Sequence, residues 1–446
     1  MKRVKDAFDE RAAALDGLLG VGRSFDMIGR TLRIGGRRAR LWVVNGYADD
    51  TVLERAISAW LPIPSLEDVG TLQAFADRYV SVCDAAVETD RLKAVTSVFA
   101  GKTLLVIDGF SGGVVLDAKQ FPLRSVEEPD TSKVLRGSHD GFGESVMKNA
   151  ALLRRRIRDS QLTLESLQVG TRSRTDVVLC YMENRVDTEL LNRIRTRIQK
   201  VHVDALSMNQ ESLAECIYPH KWFNPFPKFR FSERPDTSAA SILEGNIIIL
   251  VDNSPSAMIL PSSVFDIIEE ADDYYFPPLT GTYLRLSRTV IFFLTLFLTP
   301  LWLLFMQNPG WIPEWLAFIR VTDESHVALI YQLLILEFAI DGLRLASVNT
   351  PSMLTTPLSV IAGIVLGEYS VKSGWFNSET MLYMAFVTIA NYSMTSFELG
   401  YALKFMRVLL LILTFFLNLW GFIAGTLIAV GCLVFNRTIA GKSYIY

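Results

Sequence analysis

Three charged side chains interrupt an apolar run, and their types and spacing suggest intramembrane chemistry. They are Glu337, Asp341 and Arg344, within VALIYQLLILEFAIDGLRLA at residues 327–346. Spacings of four and three residues place them on one helix face about 60° wide. About 20 apolar residues span a bilayer, and a charge that faces lipid is costly. We therefore predict that this face looks at protein or water inside a bundle of membrane helices.

Two interpretations of this charged face remain open. In the first, Arg344 and polar neighbours hold Glu337 and Asp341, and the face is structural. In the second, the acids line a pore, because rings of acidic side chains select cations. The next apolar stretch, MLTTPLSVIAGIVLG at residues 353–367, is short and broken. Such segments re-enter the membrane or line a cavity, although small residues equally permit close helix packing. The candidate pore or intramembrane residues are Glu337, Asp341, Arg344, Thr355, Thr356, Pro357, Ser359, Gly363, Gly367 and Glu368.

Patterns for catalysis, metal binding and nucleotide binding are missing from the sequence. The histidines lie far apart and form neither HExxH nor another ligand spacing; they are His139, His202, His220 and His326. Residues 109–113, GFSGG, lack the lysine and the following helix of a phosphate loop, so they indicate a hairpin turn. We therefore expect no enzyme, no metal site and no cofactor.

Composition divides the chain into a charged front and an apolar back. The first 288 residues hold 37 Lys and Arg and 39 Asp and Glu, whereas the last 158 hold 7 and 8. A mean hydropathy of +0.27 is unusual for one soluble domain. A net charge of −3 gives no footprint for nucleic acid, and the N-terminal residues lack the apolar core of a signal peptide. Reduced, mostly buried thiols are expected at Cys83, Cys180, Cys216 and Cys432.

The front half alternates helix-like and strand-like patterns, which favours α/β subdomains. The predicted helices are 1–30, 51–61, 71–79 and 187–200, and the predicted strands are 31–44 and 176–182. LLVIDGFSGGVVLD at 104–117 and NIIILVDNSPSAMIL at 246–260 each predict a hairpin, with Asp108 or Asp252 capping the turn. These two stretches are either a degenerate repeat, which gives two related subdomains, or a chance recurrence.

A further helix is predicted at residues 141–159. Its apolar face comprises Val146, Ala150, Leu153 and Ile157. Arg154, Arg155 and Arg158 lie mostly off that face. They form either a solvated basic surface or a contact with lipid phosphates or the acids of a neighbouring subunit.

The back half contains four to six predicted membrane segments. The first spans 289–306 and follows Arg285 and Arg288, which places the front half in the cytoplasm by the positive-inside rule. The segment at 380–397 is another span, and 408–435 fits one tilted helix or two short ones. Lys404 and Arg407 indicate a cytoplasmic start for this last segment. We expect three tryptophans at the membrane–water interface on the far side: Trp302, Trp311 and Trp315.

Short motifs, ordered consistently from about residue 100 onward, carry a family resemblance. In the front half they are Arg124-Ser125, Glu128-Pro129, Arg136-Gly137, Asp140-Gly141-Phe142, Glu144, Asn149, LLRRRIR at 152–158, Glu233-Arg234-Pro235-Asp236, Leu250-Val251-Asp252, Pro255, Pro261 and Asp272-Asp273-Tyr274-Tyr275. In the back half they are Glu337, Arg344, Pro351, Gly363, Gly367 and Glu368, with Asp341 replacing a second glutamate. On these residues the chain resembles the A subunits of GerA-type germinant receptors of spore-forming bacteria.

The region around residues 345–359 departs from the nutrient receptors proper. VNTPSMLTTPLS at 348–359 is typical of a separate branch, and Leu345 and Asn349 stand where the family often carries glutamate and arginine. The sequence stops at GKSYIY, where relatives continue, which indicates a fragment of a longer protein.

The resemblance implies a multi-pass protein of the spore inner membrane with a cytoplasmic N-terminal region. We place two α/β subdomains at 1–130 and 131–285, and an α-helical transmembrane domain of four to six segments at 286–446. The resemblance also implies homo-oligomers, expected as pentamers, that conduct monovalent cations alongside other inner-membrane germination proteins. The alternatives are a non-conducting scaffold for those proteins and a small-ion transporter, for which an inverted repeat in the back half is missing.

Overall fold

The chain forms two compact units. The computed structural model describes residues 7–81, 83–120, 137–218, 223–270, 272–349, 360–361, 363–436, 438–439, 441 and 444. Unit 1 comprises Met1–Pro219 and Phe229–Pro261, and unit 2 comprises His220–Lys228 and Ser262–Tyr446.

Unit 1 begins with a five-stranded antiparallel sheet in the order β1-β2-β4-β5-β3. Its strands are β1 (Met27–Ile34), β2 (Arg37–Val44), β3 (Ala85–Glu88), β4 (Thr103–Ile107) and β5 (Gly113–Leu116). Its helices are α1 (Ala7–Leu19), α2 (Asp50–Trp60), α3 (Leu72–Tyr79) and α4 (Arg91–Phe99). Alternation along β2 sends Leu41 and Val43 toward α2 and α3, and Trp42 and Val44 toward α1 and α4. The sheet therefore lies between two helical layers.

The second sheet of unit 1 has the same topology, in the order β6-β7-β9-β10-β8. Its strands are β6 (Leu162–Val169), β7 (Thr175–Met182), β8 (Arg230–Ser232), β9 (Ile247–Val251) and β10 (Ala257–Leu260). Its helices are α5 (Val146–Arg156), α6 (Thr188–Gln199), α7 (Asn209–Ile217) and α8 (Pro235–Leu243). Helices and strands alternate identically in the two sheets, which supports the repeat interpretation over a chance recurrence.

Both predicted hairpins are confirmed, and they occupy equivalent places in the two sheets. They are β4-β5 and β9-β10. The aspartates that follow β4 and β9 bind distant groups: Asp108 accepts hydrogen bonds from Arg38, and Asp252 accepts one from the backbone N–H of Val146 at the start of α5. Each hairpin turn is thus anchored to a neighbouring element.

The predicted boundaries near the N-terminus are wrong in two places. Helix α1 ends at Leu19 and β1 begins at Met27, so residues 1–30 are not one helix. The predicted strand at 31–44 is part of a hairpin whose turn is Gly35-Gly36, with φ of +53° and +78°. Two consecutive residues with positive φ suit glycine and the right-handed twist of a tight hairpin. The Gly-Gly pair was therefore a turn signal within the sequence of the predicted strand.

Unit 2 is helical in its described part. Its helices are α9 (Val264–Ile268), α10 (Asp272–Tyr275), α11 (Pro278–Gln307), α12 (Leu329–Asn349), α13 (Ser378–Tyr392) and α14 (Phe397–Val434). A π-helix, Gly363–Tyr369, continues into a short helical turn, Ser370–Lys372. Helices α11 and α14 are long and apolar enough to cross a membrane.

Helix α14 is a hairpin of two arms, 397–417 and 419–434. Asn418 between them has φ of 54° and ψ of −132°, which is not helical. Gly425 in the second arm packs on Leu410 in the first, and a Cβ built on Gly425 would lie 3.0 Å from Leu410 Cγ. The chain therefore folds back on itself at Asn418, which agrees with the two-helix alternative for residues 408–435.

The two ends of unit 2 can be identified from its loop contacts. At one end, Thr395 donates to the carbonyl of Ile267, and the backbone N–H of Val264 donates to the carbonyl of Tyr444 at 2.9 Å. At the opposite end, Asn308 donates to the side-chain oxygen of Asn418 at 2.7 Å. We call these the Val264 end and the Asn418 end.

Candidate functional site

A buried ion pair joins α12 to the first arm of α14. The guanidinium of Arg407 donates from Nε to Glu337 Oε1 at 2.6 Å and from Nη2 to Oε2 at 2.9 Å. Glu337 is 4% exposed and Arg407 is 2% exposed. The fork-like guanidinium matches both carboxylate oxygens, which is the strongest geometry for such a pair. The pair therefore fixes the register of two helices at a point remote from water.

A second base completes the cluster. Lys404 Nζ donates to the backbone carbonyl of Glu337 at 2.9 Å, lies 3.6 Å from its Oε2, and forms an ion pair with Asp341. Because Lys404 and Arg407 are three residues apart on α14, they occupy one face, opposite the acids of α12. Glu337, Asp341, Lys404 and Arg407 carry no net charge together, and we call them the four-charge cluster.

Helix α11 supplies the remaining acceptor. Arg407 Nη1 donates to the backbone carbonyl of Thr295 at 2.8 Å. Pro300 of the same helix has no N–H to donate to the carbonyl of Leu296, the residue that follows Thr295. Arg407 thus connects three helices through a single side chain.

Arg344 lies outside this cluster. Among the described residues, the ion pairs of Glu337 and Asp341 are with Lys404 and Arg407, so the predicted pairing with Arg344 is wrong. Lys404 and Arg407 are buried and paired with the acids of α12, and the cytoplasmic start predicted from them stays a prediction. The sequence contained a signal for the observed pairing. Lys404 and Arg407 are three residues apart beside one apolar run, and the two acids of α12 are four residues apart in another, so each pair lies on one helix face.

Three aromatic rings surround the guanidinium of Arg344 instead. Its Cζ lies 5.5 Å from the ring centroid of Tyr392, 4.8 Å from that of Phe397 and 4.8 Å from that of Tyr401. Tyr392 ends α13, and Phe397 and Tyr401 lie in the first turns of α14. A guanidinium this close to ring faces is attracted by their quadrupoles. We call these three residues the aromatic cage.

The other predicted pore residues are only partly described. Thr355, Thr356, Pro357 and Ser359 lie outside the described residues. The π-helix contains Gly363, Gly367 and Glu368, and Glu368 forms an ion pair with Lys372 one turn later. A π-helix is uncommon and often occurs at functional sites.

Arg288 near the start of α11 binds acids as well. It pairs with Glu270, and its Nε lies 3.4 Å from Asp273 Oδ1. Burial raises the pKa of Glu270 from its ordinary value, whereas Arg288 opposes that rise. Arg288 therefore secures α11 to the segment before it.

Trp302, near the other end of α11, does not lie on the surface, as a side chain that contacts the membrane interface would. It is 3% exposed, and its indole N–H donates to the carbonyl of Ile319.

Two sequence predictions about unit 1 and the cysteines need correction. Arg154 is fully buried and binds Asp26, so it does not belong to a solvated basic surface. The apolar face predicted for the same helix is confirmed, since its four members are buried. The thiols are not mostly buried, because Cys216 is exposed and Cys83 and Cys432 are half-buried.

Known proteins resemble this chain over most of its length. The family model of the Bacillus/Clostridium GerA spore germination protein matches residues 15–446. Stage V sporulation protein AF of Bacillus subtilis (strain 168) is 34% identical over 91% of this chain and 83% of that protein. The uncharacterized membrane protein YfkQ of the same organism is 30% identical over 79% of this chain and 69% of that protein.

Part of this chain also matches a solved structure. It is the N-terminal domain of the A subunit of the Bacillus megaterium spore germinant receptor GerK3, at 24% identity and a TM-score of 0.44. The match covers 58% of this chain and 95% of that one.

Proposed function

Because the chain belongs to the Bacillus/Clostridium GerA spore germination protein family, we propose that it acts in germination as a membrane channel for monovalent cations. The assembly would be a homo-oligomer, expected as a pentamer, in the spore inner membrane. The N-terminal region would face the cytoplasm, and other germination proteins of that membrane would be its partners.

The observation that carries this proposal is the four-charge cluster between apolar helices. Ionisable side chains inside a membrane bundle are costly and mark ion or proton pathways in many transport proteins. Here Glu337 and Arg407 satisfy each other, so they stabilise the bundle around a pathway and do not themselves coordinate a passing ion. Asp341, whose side chain is 33% exposed, is the member of the cluster that a pathway could reach.

The order of the helices supports six crossings. Helix α11 runs from the Val264 end to the Asn418 end, and α12 runs back from the Asn418 end. Helix α13 again starts near the Asn418 end, where Ser378 donates to Asp323. We propose one more crossing between α12 and α13, and the two arms of α14 add two further crossings. The described residues between α12 and α13 include the π-helix, Gly363–Tyr369, and we propose that the ion pathway lies beside it.

A scaffold for other germination proteins is the second candidate. It is favoured by the neutrality of the four-charge cluster, since paired charges meet the needs of a rigid bundle without any ion flow. In this case the chain would assemble and bind partners but would not conduct.

Ion flux from liposomes separates the two candidates. The purified chain is reconstituted into liposomes loaded with K⁺, and efflux is followed with a K⁺ electrode beside protein-free liposomes. A channel predicts efflux that Glu368→Gln and Asp341→Asn change, while native mass spectrometry shows an intact oligomer. An assembled oligomer whose efflux equals that of protein-free liposomes would favour the scaffold.

A further inference from the structure

The aromatic cage holds a cation that the rest of the bundle does not need. Glu337 and Asp341 are neutralised by Lys404 and Arg407, so the charge of Arg344 is surplus to the cluster. Its guanidinium is held by ring faces at 4.8–5.5 Å. Moving Arg344 away would therefore leave both Glu337 and Asp341 with the counter-charges that the described residues show.

Two rings of the aromatic cage are exposed at the surface of the described residues. Tyr392 is 50% exposed and Phe397 is 60% exposed. The rings lie on both sides of the short link 393–396, close to the hydrogen bond between Thr395 and Ile267 at the Val264 end. A cation could thus approach these rings without displacing the packed core of the bundle.

From this geometry we propose that Tyr392, Phe397 and Tyr401 form a binding site for an alkylated ammonium cation, occupied here by the chain's own Arg344. Three π faces around one positive group are the arrangement by which proteins recognise quaternary ammonium. Arg344 is the resident occupant, and an external cation takes the site when Arg344 withdraws. The same chemistry is offered by a free organic cation and by the choline headgroup of a lipid.

The probe for a free cation is tetramethylammonium chloride, added to the full chain in dodecylmaltoside. Binding is measured by saturation-transfer NMR on the methyl signal, with sodium chloride balancing ionic strength. We expect Arg344→Ala to bind the probe at least tenfold more tightly than the unmodified chain. Adding Tyr401→Leu to Arg344→Ala should abolish this gain. Arg320→Ala, an exposed arginine outside the cage, should behave like the unmodified chain.

Several outcomes would overturn the proposal. Equal binding by Arg344→Ala and the Arg344→Ala/Tyr401→Leu chain means that the rings do not form the site. Equal binding by the unmodified chain and Arg344→Ala means that Arg344 does not occupy it. If Arg344→Ala elutes as an aggregate, Arg344→Gln, which keeps most of the side-chain length, is measured against the same criteria.

The lipid source is tested in nanodiscs. Tetramethylammonium binding to Arg344→Ala is compared in phosphatidylcholine and phosphatidylglycerol discs. Weaker binding in phosphatidylcholine shows that the headgroup competes for the cage, and equal binding assigns the site to free cations.

Discussion

Arg154 and Asp26 form an ion pair of 2.8 Å across 128 positions of sequence, with both side chains almost completely buried. Arg154 lies on α5, beside the second sheet, and Asp26 directly precedes β1 of the first. Ser24 accepts a further hydrogen bond from the same guanidinium. The two halves of unit 1 are therefore joined through a charged side chain as well as by apolar packing.

We predict that Arg154→Ala destabilises unit 1 by about 3–5 kcal/mol, because it leaves the carboxylate of Asp26 buried without a counter-charge. Hydrogen–deuterium exchange in peptides that cover β1 and α5 should accelerate accordingly. The exposed Arg158 provides the matched control, and Arg158→Ala should change stability by less than about 0.5 kcal/mol. Similar protection in the two variants would contradict the prediction.

In unit 2, Arg407→Ala should be far more damaging than Arg344→Ala. The first change leaves Glu337 buried without its main partner, at a cost of about 3–5 kcal/mol. The second removes ring contacts worth about 0.5–2 kcal/mol. Oligomer yield and thermal stability in detergent measure the difference. If removing Arg344 lowers both quantities as much as removing Arg407, our assignment of partners is incorrect.

Gly421 should tolerate no side chain. A Cβ at this position would lie 1.8 Å from the carbonyl oxygen of Leu413, so Gly421→Ala must push the arms of α14 apart. We expect a strong loss of folded protein, read as the monodisperse fraction on gel filtration. Gly431, on the same arm, has no neighbour closer than 3.9 Å to a built Cβ, so Gly431→Ala should be tolerated. Comparable yields would argue against a closed hairpin.

Alkaline pH should destabilise the second sheet through Tyr181. Burial and the adjacent carboxylate of Glu165 raise the pKa of Tyr181 from 10.0 to about 12. Between these values the unfolded chain loses the phenolic proton and the folded chain retains it, so stability falls as pH rises through this window.

Tyr181→Phe should therefore reduce the loss of unfolding free energy at alkaline pH. Denaturant unfolding between about pH 9 and 12 measures this loss, since that range contains the ordinary and the raised pKa of Tyr181. Burial raises the pKa of Tyr47 as well, so some loss should persist. An unchanged pH dependence in Tyr181→Phe would show that this phenol does not contribute.

Unit 1 should fold when residues 1–261 are produced alone, because its two sheets contain their own apolar cores. We expect a soluble monomer whose far-ultraviolet circular dichroism shows mixed helix and strand. An unfolded spectrum would show that the remaining residues are required.

Local patterns predicted much of unit 1. Alternating apolar residues around a turn signal located both β4-β5 and β9-β10, since a hairpin depends on residues close in sequence. Helical periodicity likewise identified the buried face of α5. The turn at Gly35-Gly36 was missed because the prediction treats residues 31–44 as one strand, although the glycine pair and the following Arg37 and Arg38 interrupt the apolar pattern.

The charged cluster required information that periodicity does not contain. The spacing on α12 correctly places Glu337 and Asp341 on one face, but Arg407 lies 70 positions away from Glu337. The partner of a buried charge is selected by helix packing, whereas sequence reasoning assigned the nearest base, Arg344. Asn418 was equally hidden, because one amide in an apolar run does not reveal that the chain reverses there.

The hydrogen bond between Val264 and Tyr444 links the start of α9 directly to the residues that follow α14. Tyr444 is buried in the same apolar cluster as Val264, and the bond joins the first residue of α9 to a residue that follows α14. Movement of α9 is therefore coupled to Tyr444 by direct contact and does not depend on the helices between them in the sequence. A displacement of α9 would therefore change the packing of Tyr444 directly, although α12 and the aromatic cage lie between the two in the chain.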